Sequence, residues 1–275
     1  MNDWIRVSKS APCQICGKPD WCGYSLTHAI CLRISSDRPT ANGGWLHPLG
    51  SAPDIRFAPK RKAEPVVDCA ALMRQWWIEG PPRIIELSEV LQVDSHSLMM
   101  MNATWAERHQ AWAFPMVNSE REITGIRLRN EHGEKWAVKG GRNGLFVPSV
   151  QPQKRVFIVE GPTDCAALLS IGLFAIGRPS CNEGADIFRA LLPKLGVRSA
   201  VIVSDHDDDK ARPDGSTYNP GVDGAVRLSE RLPVPNCIWL PPTKDAREFV
   251  KHGGTAQQIE AMIRGVKWKQ PEERR

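Results

Sequence analysis

Apolar positions along the chain fall into three successive patterns. From Val66 to Val93 the stretches CAALMRQWWIEG and IIELSEVLQV repeat apolar residues every three or four positions, which predicts amphipathic helices. From Ala111 to Val147 the runs AWAFPMV, EITGIRLR and KWAVKG are short and separated by Asn, Gly and charged residues, which predicts an antiparallel sheet. After Pro152 strands and helices alternate: VFIVE, a helix over Thr163–Ile171, LFAIG, a helix over Ala185–Leu195, SAVIVS, a helix over AVRLSERL, then CIWL. That alternation predicts a largely parallel α/β sheet. Ligands of such sheets bind beyond the carboxyl ends of the strands, so polar residues there are the first candidates for chemistry.

Ahead of this periodic region the signal is cysteine. Four of the eight cysteines lie between Cys13 and Cys31, whereas Cys69, Cys165, Cys181 and Cys237 are scattered. Cys13-Gln-Ile-Cys16-Gly has the two-residue spacing and trailing glycine of a metal knuckle. A segment this short has little apolar core, and small modules need a metal or another staple. The expected ligands are Cys13, Cys16, Cys22 and Cys31 around a structural tetrahedral zinc, with no coordination position left open for catalysis. His28 and His47 are alternative ligands. Trp21, Tyr24 and Trp45 could stack on bases or simply cover the metal.

The expected organisation is a zinc-ribbon-like module over 1–50, a linker over 51–65 (SAPDIRFAPKRKAEP), a mixed α+β basic subdomain over 66–150, the α/β unit over 151–265, and a charged tail over 266–275. The fold class is α/β. With 275 residues, 41% of them apolar, the chain can bury a sizeable core in about two units. No apolar run approaches the roughly 20 residues of a membrane span, and the N-terminus lacks a secretory h-region. The cytoplasm is therefore expected, where reduced thiols favour metal ligation over disulfides. Net charge is +5, and residues 1–62 hold nine Lys/Arg against four Asp/Glu. That excess fits a polyanionic partner or a solvated basic surface.

Strand VFIV runs into Glu160-Gly161-Pro162-Thr163-Asp164, placing Glu160 at a strand's carboxyl end and Asp164 in the first turn of the next helix. Strand SAVIVS ends in Asp205-His206-Asp207, whose spacing turns both carboxylates to one side of an extended chain. Clustered hard oxygen donors suit magnesium or manganese and point to phosphoryl transfer. For Asp164 the alternative is a helix N-cap, and for Asp205 and Asp207 a turn after a buried strand.

The unit strand-Glu160-Gly161-x-x-Asp164, followed by strand-Asp205-x-Asp207, resembles the TOPRIM domain of bacterial-type primases, type IA and II topoisomerases, small nucleases and recombination mediators. Lys244-Asp245-Ala246, after CIWL, is similar to that fold's third acidic position. The family's glycine after Asp-x-Asp resembles Gly221, displaced by an inserted polar segment over 208–219 that also carries Asp208 and Asp209. Upstream, AWAFPMVNSEREITGIRLRN and GEKWAVKGGRNGLFVP resemble the basic RNA-polymerase subdomain of primases. CQICGKPDWC with Gly44-Trp45-Leu46-His47 resembles the zinc modules of phage- and plasmid-borne primases.

The resemblance implies a DNA primase that synthesises short RNA primers on single-stranded DNA, using zinc for structure and Mg2+ or Mn2+ for nucleotidyl transfer. It implies Glu160, Asp164, Asp205, Asp207 and Asp245 as catalytic residues, with Glu160, Asp205 and Asp207 on magnesium. It implies Arg127, Arg129, Lys135, Lys139 and Arg142 as template or nucleotide contacts, at least two of which would be solvated surface. Partners would be single-stranded DNA, nucleoside triphosphates and a separate replicative helicase, since no GxxxxGK[ST] loop is present. The alternatives are a TOPRIM nuclease and a non-enzymatic zinc/TOPRIM recombination mediator. A topoisomerase would need a nucleophilic tyrosine, and only Tyr24 and Tyr218 occur.

Overall fold

A computed structural model describes residues 4–40, 43–49, 67–211 and 216–271. The expected linker over 51–65 lies outside the described residues. The chain divides into two compact units, residues 1–64 with 210–218, and residues 65–209 with 219–275.

In the first unit four short strands, β1 (Ile5–Arg6), β2 (Gly23–Tyr24), β3 (His28–Cys31) and β4 (Trp45–Pro48), form an antiparallel sheet in chain order. Its buried core is Val7, Cys13, Cys22, Tyr24, Ala29 and Cys31. Half of these side chains are thiols, so apolar burial alone stabilises the sheet weakly.

The second unit opens with α1 (Cys69–Glu79), α2 (Ile84–Leu91) and α3 (Ser95–Met100). The side chain of Asp68 caps α1 by accepting from the Ala71 amide at 2.8 Å, and the Gly80-Pro81-Pro82 run ends it. Strands β5 (Thr104–Ala106), β6 (Ala111–Val117), β7 (Ile123–Arg129) and β8 (Lys135–Ala137) then make the expected antiparallel sheet. Period-two alternation sends Ile126 and Leu128 of β7 into the core beneath α1 and turns Arg127 and Arg129 to the other face.

The remainder of the second unit is β9 (Arg155–Glu160), α4 (Pro162–Ser170), β10 (Ala175–Arg178), α5 (Ala185–Lys194), β11 (Ser199–Val203), α6 (Pro220–Ser229), β14 (Asn236–Trp239), α7 (Ala246–Lys251) and α8 (Ala256–Arg264); the small hairpin strands β12 (Lys210–Ala211) and β13 (Thr217–Tyr218) group with the first unit. The order β10-β9-β11-β14 is parallel throughout. Alternate residues of β9 feed two cores, Phe157 and Val159 joining α4, α7 and α8, and Val156 and Ile158 joining α5 and α6. Leu145 and Phe146 tie the two sheets together, Leu145 bridging to Val117 of β6 and Phe146 to Gly177 of β10.

Two expectations need correction. The helix expected over AVRLSERL begins earlier, at Pro220, because Asn219 caps it by accepting from the Val222 amide and Pro220 occupies its first position. Residues 266–269 are not a trailing tail: Lys269 pairs with Asn236 of β14, and Arg155 stacks on Trp268 at 5.4 Å. Residues 272–275 lie outside the described residues. Among the described residues no helix is long and apolar enough to cross a membrane.

Candidate functional site

Five acidic side chains gather at the carboxyl edge of the parallel sheet. Glu160 ends β9, Asp205 and Asp207 follow β11, Asp164 sits in the first turn of α4, and Asp245 precedes α7. The electrostatic centre is Asp205, whose pKa is pushed from 3.8 to about 8 by burial and then by Asp164, Glu160, Asp245 and Asp207. Asp164, 5% exposed, is raised to about 6 by burial and by Asp245. It is not an N-cap, since Gly161 holds that position at φ 104. Instead its Oδ1 accepts the Arg247 amide at 3.1 Å, which ties the start of α4 to α7. Asp245 is the capping residue of α7, accepting from the Glu248 amide at 2.7 Å.

Glycine lets the helix after the inserted segment approach this edge. A Cβ on Gly221 would lie 2.5 Å from the Asp205 carbonyl oxygen, so no larger residue fits there. Asn219 binds the same loop, donating to the Asp207 carbonyl at 2.6 Å and to Asp209 at 3.1 Å.

Cations hold the acids from two sides. Arg178, at the end of β10 beside Glu160 in register, is 1% exposed and donates to Glu160 Oε1 at 2.9 Å. Its other nitrogen reaches the carbonyls of Cys181 and Gly224 at 2.8 and 3.3 Å. Arg129, Lys135 and Arg247 supply positive charge beside Asp164 and Asp245. Lys135 is exposed by area, yet protein crowds its ammonium; that desolvation, then Arg129, lowers its pKa. The Nε atoms of Arg127 and Arg129 are buried without a hydrogen-bond partner. Lys139 and Arg142 follow β8 where the backbone runs toward the other end of β7, the Arg142 amide donating to the Thr124 carbonyl.

The donor set fits a divalent cation of the magnesium type. Among the described residues no three carboxylates come within 4.8 Å of one another. A dehydration-resistant cation needs only one or two carboxylates when phosphates and water supply the rest, and the adjacent pair Asp205 and Asp207 offers that number.

The first unit carries a closed cluster. Cys13, Cys16, Cys22 and Cys31 place their sulfurs within 4.8 Å of one another, with Cys16 to Cys22 at 3.8 Å and Cys22 to Cys31 at 4.0 Å. A tetrahedron with zinc–sulfur bonds of about 2.3 Å has edges of about 3.8 Å, so the cluster fits zinc. Backbone amides of Leu32, Arg33 and Ile34 point at these sulfurs, as they do around thiolates. The Arg33 guanidinium lies 3.9 and 3.8 Å from Cys16 and Cys22. Both alternative ligands turn elsewhere, His28 to Thr27 at 2.9 Å and His47 to the Ile34 carbonyl at 2.9 Å. Tyr24 is buried against the cysteines and presents no stacking surface, while Trp21 is exposed.

No family model matches the chain, and no curated relative matches it. Solved structures do. The catalytic core of the E. coli primase superposes with a TM-score of 0.55 at 15% identity, covering 72% of this chain and 79% of that one. The chain has the fold of a DNA primase catalytic core. A DnaG primase catalytic domain bound to single-stranded DNA gives 0.54 at 12% identity, covering 72% of this chain and 78% of that one. The zinc-binding and RNA-polymerase domains of the Aquifex aeolicus primase give 0.55 at 13% identity, covering 73% of this chain and 60% of that one.

Sequence reasoning missed Arg178 and Arg247. Arg178 directly follows the apolar strand LFAIG, a position that signals a strand-end residue. Its partner depends on β10 lying beside β9, and strand order is not written in the spacing.

Three outcomes follow from this geometry. Protein purified without chelator should carry about one zinc per chain by metal analysis, lost in Cys16→Ser and retained in Cys237→Ser. Asp205 binds its proton more tightly folded than unfolded, so thermal stability of the protein in chelator should fall as pH rises from 4 to 8. Asp205→Asn should flatten that dependence. Arg178→Met should lower folding stability by roughly 3 kcal/mol, because it strands a mostly buried carboxylate. Adding Glu160→Gln should recover most of the loss in denaturant unfolding; two additive losses would show that the pair is not coupled.

Proposed function

We propose that the protein is a DNA primase, making short RNA primers on single-stranded DNA by divalent-metal-dependent nucleotidyl transfer. The observation that carries this reading is the acid edge itself: five carboxylates at the carboxyl ends of a parallel sheet, faced by Arg129, Lys135 and Arg247, within a primase-core fold. The comparison structures support the fold, and the activity is our inference from the site.

In this reading Asp205 and Asp207 are the principal ligands of Mg2+ or Mn2+, and Asp164 and Asp245 fix the surrounding charge. The cation would stabilise negative charge developing as a primer 3′-hydroxyl attacks an α-phosphate. Arg178 fixes Glu160 through Oε1, leaving Oε2 to ligate or to accept the hydroxyl proton. Arg129 and Lys135, with Arg127 beside them, orient nucleotide or template phosphates through their terminal nitrogens. Lys139 and Arg142 would contact the strand away from the reacting atoms. Residues 1–50 act as a zinc-stabilised template-binding module, joined by 51–65 to the basic subdomain over 66–150 and the catalytic subdomain over 151–265. The protein would work in the cytoplasm alongside a separate replicative helicase.

The test is ribonucleotide incorporation on single-stranded templates with magnesium or manganese. Wild type should make short RNA. Asp207→Asn should reduce synthesis by at least a hundredfold with an unchanged or higher melting temperature, because removing one of several repelling carboxylates relieves the folded state. Retention of near-wild-type synthesis would remove the metal assignment. Metal-dependent cleavage without synthesis would make the protein a nuclease.

A further inference from the structure

On the face of the antiparallel sheet opposite Arg127 and Arg129, α1 leaves an open cavity of about 540 Å3. Trp77 and Ile78 of α1 form one wall, and Val117 and Ile123, at the ends of β6 and β7, form the other. Trp77 is 43% exposed and Ile78 85% exposed, so apolar surface is held in water where a flat apolar ligand would cover it. Two cations line the same cavity, Arg74 from α1 and Arg121 from the turn between β6 and β7, and no Asp or Glu lines it. Both arginines are exposed, and no described residue pairs or hydrogen-bonds with either guanidinium. Arg121 also takes a left-handed backbone, φ 66, at a turn position that asparagine or glycine would fill without strain.

We propose that this cavity binds one nucleotide of a single strand of nucleic acid, its base against Trp77 and its flanking phosphates on Arg74 and Arg121. An aromatic platform and two cations in one cavity match the base and phosphate groups of a strand. Charge selects the strand over a free nucleotide. Two separated guanidinium groups balance two singly charged phosphodiesters, whereas a triphosphate of charge near −4 requires a metal ligand or a glycine-rich phosphate loop, and neither an acidic residue nor a glycine lines the cavity. The site is distinct from the acid edge and does not depend on polymer synthesis.

The full-length protein can be irradiated with an oligo(dT) carrying 5-iododeoxyuridine and the adduct mapped after trypsin. The adduct should fall on the peptide 75–83, which holds Trp77. Anisotropy titrations with labelled oligo(dT) should show affinity falling roughly tenfold in Trp77→Ala. In Arg74→Ser/Arg121→Ser the slope of log affinity against log salt should fall by about 1.4. The arginine variant removes no ion pair or side-chain hydrogen bond among the described residues, so it stays informative if Trp77→Ala is unstable. Adducts confined to other peptides, or unchanged affinity and salt slope in the arginine variant, overturn the proposal. So does labelling of this peptide by 8-azido-ATP but not by the oligonucleotide. Asp207→Asn should still cross-link, so failure of the catalytic reading and failure of this one are read separately.

Discussion

Mutual repulsion among carboxylates is the constraint on which the rest of the second unit depends. Parallel strands deliver their carboxyl ends to one edge, and here those ends and the adjoining helix starts carry Glu160, Asp164, Asp205, Asp207 and Asp245. Like charges in a partly dry edge raise one another's pKa and oppose folding. The structure answers with internal cations rather than with distance. Arg178 is buried beneath Glu160, and Arg247 reaches Asp164 through its amide and Asp245 through its guanidinium at 4.0 Å. Those partners leave Asp205 as the least compensated group.

The zinc-binding unit solves a different problem. With three cysteines among six buried core residues, it cannot rely on apolar burial, and the free thiols differ sharply in their readiness to ionise. Burial pushes Cys22 up to about 12, while Cys16, despite its own desolvation, is brought down to about 6 by the Lys18 amide and neighbouring thiols. The Arg33 guanidinium then lies where the negative charge of four thiolates would accumulate.

How much of this was legible depended on how local each signal is. The alternating strands, the four-cysteine spacing and the acids at strand ends all follow from period and adjacency, and each appears where the pattern placed it. The start of α6 was misread because apolar periodicity marks Ala225 onward, whereas the Asn219-Pro220 capping pair sets the true start. Arg178 and Arg247 carry no local pattern, since their importance comes from which strand lies beside which. Arg129 could not be separated from Lys139 or Arg142 by sequence, because all are basic residues near short strands. The tertiary fold, which sets Arg129 opposite Lys135 and both near Asp164, shows which end of β7 meets the acids.

Leu145 and Phe146 give the second unit a property that its two sheets alone would lack. One residue bridges to Val117 at the end of the interior strand β6 and the next to Gly177 of the edge strand β10, so a single extended segment is stitched to both sheets. Hinges between subdomains need a length of backbone free to rotate, and this crossing has none to spare. The basic strands and the acid edge are therefore joined by one short crossing paired on both sides. Any movement of one sheet against the other must therefore strain the Leu145–Val117 bridge, the Phe146–Gly177 bridge, or both.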